Sequence, residues 1–425
     1  MNRFTPVSWV NNTNIYEVNI RQYTPEGTFN SFAPHLPKLK RMGVHTLWFM
    51  PVTPISQKNK KGSLGSYYAC SDYTSINPEF GTLDDFKLLV RRAHDMGFRV
   101  IIDWVANHTG WDHVWTSTHP EYFKKDPATN DFKMASGMED IIELDFDNPA
   151  LRNAMMEAMQ FWVSECEIDG FRCDLAFWVP LDFWKEARER LDSTKPLFWL
   201  GEFDELERPE YGEAFDASYS WMWMRLTEEY YHQKRAMADL MSLLKRYDDL
   251  GDDTMRAWFT TNHDENSWNG TEFEKYGDMA KALAVFSATW NGIPLVYSGQ
   301  ELPNKKRIEF FEKDVIEWQE PLAMEEFYTT ILHLHTRNGA LRAGDPSVHT
   351  YRIKTNQERV MAFLRKRGEE EVLIVLNLSG EEYVVELMSE WVKGVYKNIF
   401  NEASFDFSAE QSFRLQGWDF RVYEK

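Results

Sequence analysis

Thr82-Leu-Asp-Asp-Phe-Lys-Leu-Leu-Val-Arg-Arg-Ala-His-Asp-Met96 runs into Arg99-Val-Ile-Ile-Asp103-Trp-Val-Ala106. The first stretch carries apolar residues at three- and four-residue steps, the spacing of an amphipathic helix, and the second is a short apolar run of the kind that forms a buried strand. The same pairing recurs along the chain. Strand-like runs fall at Ile15–Gln22, His45–Val52, Arg99–Ala106, Gly170–Ala176, Pro196–Phe203, Ala214–Trp221, Arg256–Asn262 and Pro294–Gly299. Helical spacing fills Pro149–Cys166, Leu181–Leu191, Ala236–Arg246 and Met279–Trp290 between them, and an eighth helix follows at Glu325–Asn338. Alternating strands and helices imply a parallel sheet. Eight units match the count of a closed (β/α)8 TIM barrel, and a doubly wound open sheet is the alternative that counting alone leaves.

One connection breaks the rhythm. Some 38 residues, Gly110 to Asp147, separate the third strand from its helix, far beyond an ordinary βα loop. A short inserted domain after strand 3 is therefore expected at 110–147, inside a barrel built from 1–109 and 148–344. Beyond it, short alternating runs at Val348–Lys354, Arg359–Arg367, Glu371–Leu378, Tyr383–Glu386 and Arg421–Tyr423 predict a C-terminal antiparallel β-sandwich over 345–425. Trp391 and Trp418 within it are read as core residues because of their bulk.

Composition narrows the partners. The 425 residues hold 67 acidic against 47 basic side chains, and a net charge of −20 repels a phosphate backbone, so no nucleic-acid partner is expected. Aromatic residues make up 15%, with 17 Trp, and flat apolar rings suit a neutral, hydroxyl-edged ligand such as a sugar. Cys70, Cys166 and Cys173 cannot all pair within the chain and lack metal or redox spacing, so they read as reduced core thiols. No apolar stretch is long enough to span a membrane, and the Met1-Asn-Arg start lacks a signal-peptide core. The cytoplasm is the favoured location, with a secreted or periplasmic one the alternative if a leader was removed.

In a (β/α)8 barrel the reactive side chains gather at the C-terminal ends of the strands. Those ends read Asp103-Trp-Val-Ala-Asn107-His108, Arg172-Cys-Asp174, Gly201-Glu202 and Asn262-His263-Asp264. Arg172 and Asp174 lie two apart on one strand and share a face, so the guanidinium is expected to lower the Asp174 pKa and hold an ionised nucleophile. Glu202 follows the apolar run Leu197-Phe-Trp-Leu-Gly, surroundings expected to raise a carboxyl until it can donate a proton. Such a pair cleaves glycosidic bonds with retention. Asp264 would stabilise the oxocarbenium charge.

These blocks together resemble the α-amylase family, glycoside hydrolase family 13. Asp103-Trp-Val-Ala-Asn107-His108 is similar to its first motif, Gly170-Phe-Arg172-Cys-Asp174 to its second, Gly201-Glu202 to its third and Phe259-Thr-Thr-Asn-His263-Asp264 to its fourth. Gly43–Pro51, Tyr68–Tyr73 and Gly292–Glu301 resemble further family blocks. The resemblance implies a retaining α-glucan hydrolase acting on α-1,4 bonds of starch, glycogen or maltooligosaccharides. Asp174 is then the nucleophile, Glu202 the acid/base and Asp264 the transition-state stabiliser. Substrate binding falls to Tyr68, Asp103, His108, Arg172 and His263.

The chemistry requires no cofactor. The resemblance does imply a structural Ca2+ held through Asn107 and a second position that is Glu143 here, although two oxygen ligands are fewer than calcium takes. Where many starch-degrading members carry Lys-His after the nucleophile, this chain has Leu175-Ala-Phe177-Trp178, which predicts apolar, stacking leaving-group subsites. Trp111, Trp115 and Trp268 are candidates for lining the cleft or filling the core. Motif residues do not separate hydrolysis from transglycosylation or exo-acting α-glucosidase action. A catalytically inactive binding barrel would have been marked by loss of a carboxylate, and all three are present.

Overall fold

The computed structural model describes residues 4–251 and 254–425, so the Met1–Arg3 stretch read above lies outside the described residues. Eight barrel strands form in order: β1 Ile15–Val18, β2 Thr46–Phe49, β3 Arg99–Trp104, β4 Gly170–Cys173, β5 Phe198–Asp204, β6 Ala217–Tyr219, β7 Met255–Trp258 and β8 Ile293–Tyr297. Each pairs in parallel with its sequence neighbours, and β8 pairs with β1 to close the barrel. The open-sheet alternative is thereby excluded.

The barrel interior is built by strand alternation. Ile15, Trp48, Ile101, Phe198, Leu200, Ala217, Ala257 and Leu295 form one buried apolar cluster. Two residues further along the same faces stand Glu17, Asp103, Glu202 and Tyr219, and Arg172 occupies the same level on β4. The apolar plug therefore carries a polar layer at the C-terminal ends of the strands. Gly170 permits this at β4, since a Cβ there would meet the Phe198 carbonyl oxygen at 2.1 Å.

Helices pack outside. Leu83–Asp95 starts with a reciprocal cap between Thr82 and Asp85, an arrangement worth about 1 kcal/mol, and buries Phe86, Leu89, Val90 and Ala93. Ala280–Thr289 is apolar nearly all round because it is covered on two sides; Phe286 and Trp290 at its end meet Phe363 of the C-terminal sheet at 6.2 and 4.8 Å between centroids. All eight barrel strands are shorter than read, and at two of them a helix takes up the remainder. β1 stops at Val18 because Ile20–Tyr23 makes a helical turn, its Tyr23 amide bonded to the Asn19 carbonyl at 3.0 Å. Trp221 does not end β6 but opens the helix Trp221–Tyr231, which buries Trp223, Met224, Thr227 and Tyr230 at helical spacing.

The inserted segment is a small ribbon, His108–Gly110 antiparallel to Ile141–Glu143, with short helices at Val114–Thr118 and Pro120–Tyr122. Trp115 packs there among Tyr73, His113 and Tyr122, a core role.

The C-terminal region forms eight antiparallel strands: β9 His349–Thr355, β10 Val360–Arg367, β11 Glu370–Asn377, β12 Tyr383–Met388, β13 Val395–Asn398, β14 Ser404–Asp406, β15 Ser412–Leu415 and β16 Phe420–Glu424. They hydrogen-bond in the order β14-β13-β16-β11-β10-β9-β12-β15. The two ends curl together, since Phe405 of β14 and Phe413 of β15 lie 5.9 Å apart, and the strands enclose one core with Leu364, Leu373, Val385 and Tyr396. The core reading of Trp391 is corrected. Its side chain is 59% exposed, because only one ring face is covered, by Tyr351 stacked at 4.7 Å. Trp418 is half-buried. All three cysteines are free and buried, and no helix among the described residues is long and apolar enough to cross a membrane.

Candidate active site

Arg172 organises the barrel mouth. Adjacent register sets Asp103 of β3 directly beside it, and its Nη1 donates to Asp103 Oδ1 at 3.0 Å and to Asp174 Oδ1 at 2.9 Å. Nη2 lies 2.8 Å from Glu202 Oε2, a charge contact off the line of a hydrogen bond, and Nε donates to Tyr219 Oη at 3.2 Å. The guanidinium is fully buried, 5.0 Å above the Trp48 ring. One cation thus gathers three carboxylates from β3, β4 and β5. A buried guanidinium fork can do this with fixed geometry where a lysine cannot.

Asp174 lies just past β4 and is 6% exposed; Glu202, on β5, is 7% exposed. The Leu175 amide donates to Glu202 Oε2 at 2.9 Å. Leu175 holds a left-handed backbone at φ 41°, strain that an ordinary residue carries at about 1–2 kcal/mol and that turns this amide toward Glu202.

The expected low Asp174 pKa is corrected: burial and then the Glu202 carboxylate push it well above the usual range, outweighing the lowering by Arg172. Asp103 rises to about 6, burial outweighing Arg172 and His263.

A second chain of hydrogen bonds runs across the mouth. His263 Nδ1 sits 2.5 Å from Glu17 Oε1, its Nε2 sits 2.7 Å from Tyr68 Oη, and Tyr68 Oη donates to Asp103 Oδ2 at 3.0 Å. Burial alone would lower His263, yet Asp264 and Glu17 together raise it to about 9. An imidazolium at neutral pH gives the chain one direction: Nδ1–H to Glu17, Nε2–H to the Tyr68 oxygen, and the phenol proton to Asp103. Tyr68 also stacks beside His263 at 5.4 Å and Phe310 at 6.3 Å. Asp264 is the most open of the carboxylates, its side chain 39% exposed and 3.4 Å from His263 Nε2.

The structure thus brings Tyr68, Asp103, Arg172, Asp174, Glu202, His263 and Asp264 together. His108 stands apart from their contacts, on the inserted ribbon. Burial lowers it to about 4, its Nδ1 lies 3.3 Å from the Asn107 amide, and its buried Nε2 has no partner among the described residues. Sequence reading missed Glu17, fully buried on β1, as well as Tyr219, Trp48 and Phe310. Only Glu17 left a signal, an acid inside the otherwise uncharged run Ile15-Tyr-Glu-Val18.

The calcium expectation does not fit the donor set. Glu143 is already paired with Lys124 at 2.8 Å and Lys133 at 2.7 Å, so two ammonium groups supply the positive charge there. Among the described residues no three His, Cys, Asp or Glu side chains cluster in a metal-holding arrangement. Of the cleft aromatics, Trp268 is 53% exposed beside Phe310 and Phe311, and Trp178 is 36% exposed. Trp111 is half-buried and fixed through Nε1 to the Glu139 carbonyl at 2.8 Å.

Carboxylates converging from several strand ends on one rim define a barrel enzyme. Comparison with known proteins places it further. The family described as Alpha amylase, catalytic domain, matches residues 8–138 and 121–337, and Maltogenic Amylase, C-terminal domain, matches 352–422. The chain belongs to the α-amylase family. It is 26% identical to Alpha-amylase 3 of Dictyoglomus thermophilum over 69% of its own length, spanning 64% of that protein, and 25% identical to a Bacillus cyclomaltodextrinase over 85% and 72%. Among solved structures it is similar to a noncanonic maltogenic alpha-amylase from Thermotoga neapolitana, with 29% identity, a TM-score of 0.88, and 97% and 98% of the two chains covered. An alpha-amylase from Lactobacillus plantarum gives 27% identity and a TM-score of 0.87 over 98% and 99%.

Proposed function

We propose that this protein is a retaining α-glucan hydrolase cleaving α-1,4-glucosidic bonds of starch, glycogen or maltooligosaccharides by double displacement. The observation that carries the reading is the Arg172 guanidinium joining Asp103, Asp174 and Glu202 at one buried point. Two carboxyls crowded on one cation suit the short separation of retaining enzymes.

In this mechanism Asp174 attacks the anomeric carbon as the glycosidic C–O bond breaks, and the Glu202 proton passes to the departing oxygen. Glu202 then takes a proton from water, whose oxygen attacks the anomeric carbon and expels Asp174. Asp264, open to the cleft, stabilises the positive charge on the ring. Arg172 positions the nucleophile, Tyr68 offers its ring to the sugar face, and His263, charged at neutral pH, and the unpartnered His108 nitrogen bind hydroxyl groups.

The acid role is tested with Glu202→Gln. Its first-step rate on an aryl maltoside, whose leaving group needs no proton, should fall far less than on maltotriose; equal losses on both would remove Glu202 from that role.

A transglycosylating mode is the second reading. The exposed rings of Trp178 and Trp268 favour it, since they offer an acceptor sugar a surface to stack on in place of water. Cytoplasmic residence is supported by likeness to an Intracellular maltogenic amylase of Bacillus subtilis, 26% identical over 65% of this chain. The Lys124–Glu143–Lys133 arrangement supports a barrel that stands without calcium.

A further inference from the structure

Asp264 is held differently from the other carboxylates of the site. Arg172 aims Asp103 and Asp174 directly, whereas the ion contact Asp264 makes among the described residues is with His263 Nε2 at 3.4 Å, longer than a hydrogen bond. A carboxylate that no side chain aims closely has to be aimed by its backbone.

That backbone has an uncommon form. Asp264 leads straight into a wide turn, Glu265–Asn269, which the Gly270 amide closes on the Glu265 carbonyl at 3.0 Å, a spacing of five residues in place of the α-helical four. Such turns are rare and recur at functional sites. The Asn262 side chain reaches across Asp264 and accepts from the Glu265 amide at 2.8 Å.

Beneath the turn lies a buried ion pair. Glu265 Oε1 accepts from the Asn269 amide at 2.9 Å, and its Oε2 meets Lys275 Nζ from the short helix Glu272–Tyr276. The Lys275 side chain is 1% exposed, with Nζ 2.8 Å from the Met224 sulfur and 3.6 Å from Glu228 Oε2, both on the Trp221–Tyr231 helix. A second tether holds the entry to the same loop. The Thr260 hydroxyl donates to the buried Glu272, which also accepts from Gln300 Nε2 at 3.1 Å. Burying an ammonium and a carboxylate is costly, and two apolar side chains of similar volume would fill the space at less expense. The pair supplies direction in return: a charged contact fixes Glu265, and with it the residue next to it in the chain.

We propose that Lys275 and Glu265 are positioning residues, a buried ion pair that fixes the backbone under Asp264 and so aims its carboxylate at the positive charge developing on the sugar ring. The proposal rests on the stabilising role given to Asp264 above. Preorganised charge of this kind is effective only where it is held in place before the reaction begins.

Lys275→Met keeps the length of the side chain and removes its charge. It should lower kcat on maltotriose about a hundredfold, the effect of displacing a catalytic group by about 1 Å, with KM little changed. In an Asp264→Asn background the same substitution should cost nothing further in the residual rate on an aryl maltoside, since a carboxylate already removed cannot be misaimed. The paired variant Glu265→Leu with Lys275→Met leaves no charge stranded and serves if the single variant fails to fold. Its Tm should stay at or above the native value while kcat remains about a hundredfold lower, a combination that a purely stabilising role would not produce. Native kcat in the folded variants, a full multiplicative loss on top of Asp264→Asn, or a loss that appears in KM alone would overturn the proposal. Failure of the activity reading looks different: the native protein turns over no α-glucan, or Asp264→Asn keeps its full rate, and the ion pair then has no catalytic group to aim.

Discussion

Replacing Glu17 by glutamine removes the carboxylate 2.5 Å from His263 Nδ1 while keeping its shape. His263 stands at about 9 in place of 6.5 because Asp264 and Glu17 overcome burial. That rise corresponds to about 3 kcal/mol favouring the charged ring, and Glu17 contributes both a charge and a hydrogen bond to it, so the variant should titrate at least about one unit lower. The sign follows from linkage. A raised histidine adds stability that is complete below its unfolded value near 6.5 and is lost as pH rises through about 9. The native protein should therefore lose thermal stability across that window, and Glu17→Gln should lose the same contribution at lower pH. The histidine ring carbon signal followed by NMR reports the titration directly, and the alkaline limb of kcat/KM should move with it because the Tyr68–Asp103 link depends on the imidazolium. A His263 titration and alkaline limb identical in both proteins would refute the proton chain drawn across the barrel mouth.

Arg172→Lys should abolish most activity and destabilise by about 3–5 kcal/mol in denaturant unfolding, because an ammonium cannot meet three buried carboxylates together. An excess of chelator should leave Tm unchanged, whereas Lys124→Ala with Lys133→Ala should lower it slightly, since partly exposed ion pairs contribute up to about 1 kcal/mol each; a chelator-dependent fall in Tm would restore the calcium site. Trp268→Ala should raise KM for maltoheptaose roughly tenfold through loss of one stacking surface, with kcat on saturating substrate little changed.

The eight barrel strands were legible because parallel strands buried on both faces read as continuous apolar runs, and the Asp103, Arg172–Asp174, Glu202 and His263–Asp264 blocks sat at their ends. What stayed hidden is what only the closed barrel creates. Glu17 and His263 are 246 positions apart, and nothing local to β1 says that its acid meets an imidazole from the loop after β7. The Asp174 expectation erred for a related reason. Spacing placed Arg172 beside it, but burial and then the Glu202 carboxylate, brought over by β5, outweigh it, and neither has a sequence neighbour to announce it. Short strands such as Ser404–Asp406 and Ser412–Leu415 escaped because three or four residues carry too little alternation to read. The Trp221–Tyr231 helix was partly masked by its aromatic start, which prolongs the apolar run of β6.

The central claim is that Asp174 and Glu202, held on Arg172, cleave α-1,4-glucans by double displacement. It is tested most directly by following maltoheptaose with the native protein and with Asp174→Asn, reading the anomeric form of early products by NMR. The account predicts shorter oligosaccharides released first as the α-anomer, and none from the variant. Early β-anomeric products, turnover that survives in Asp174→Asn, or no turnover of maltoheptaose, starch or pullulan by the native protein would contradict it.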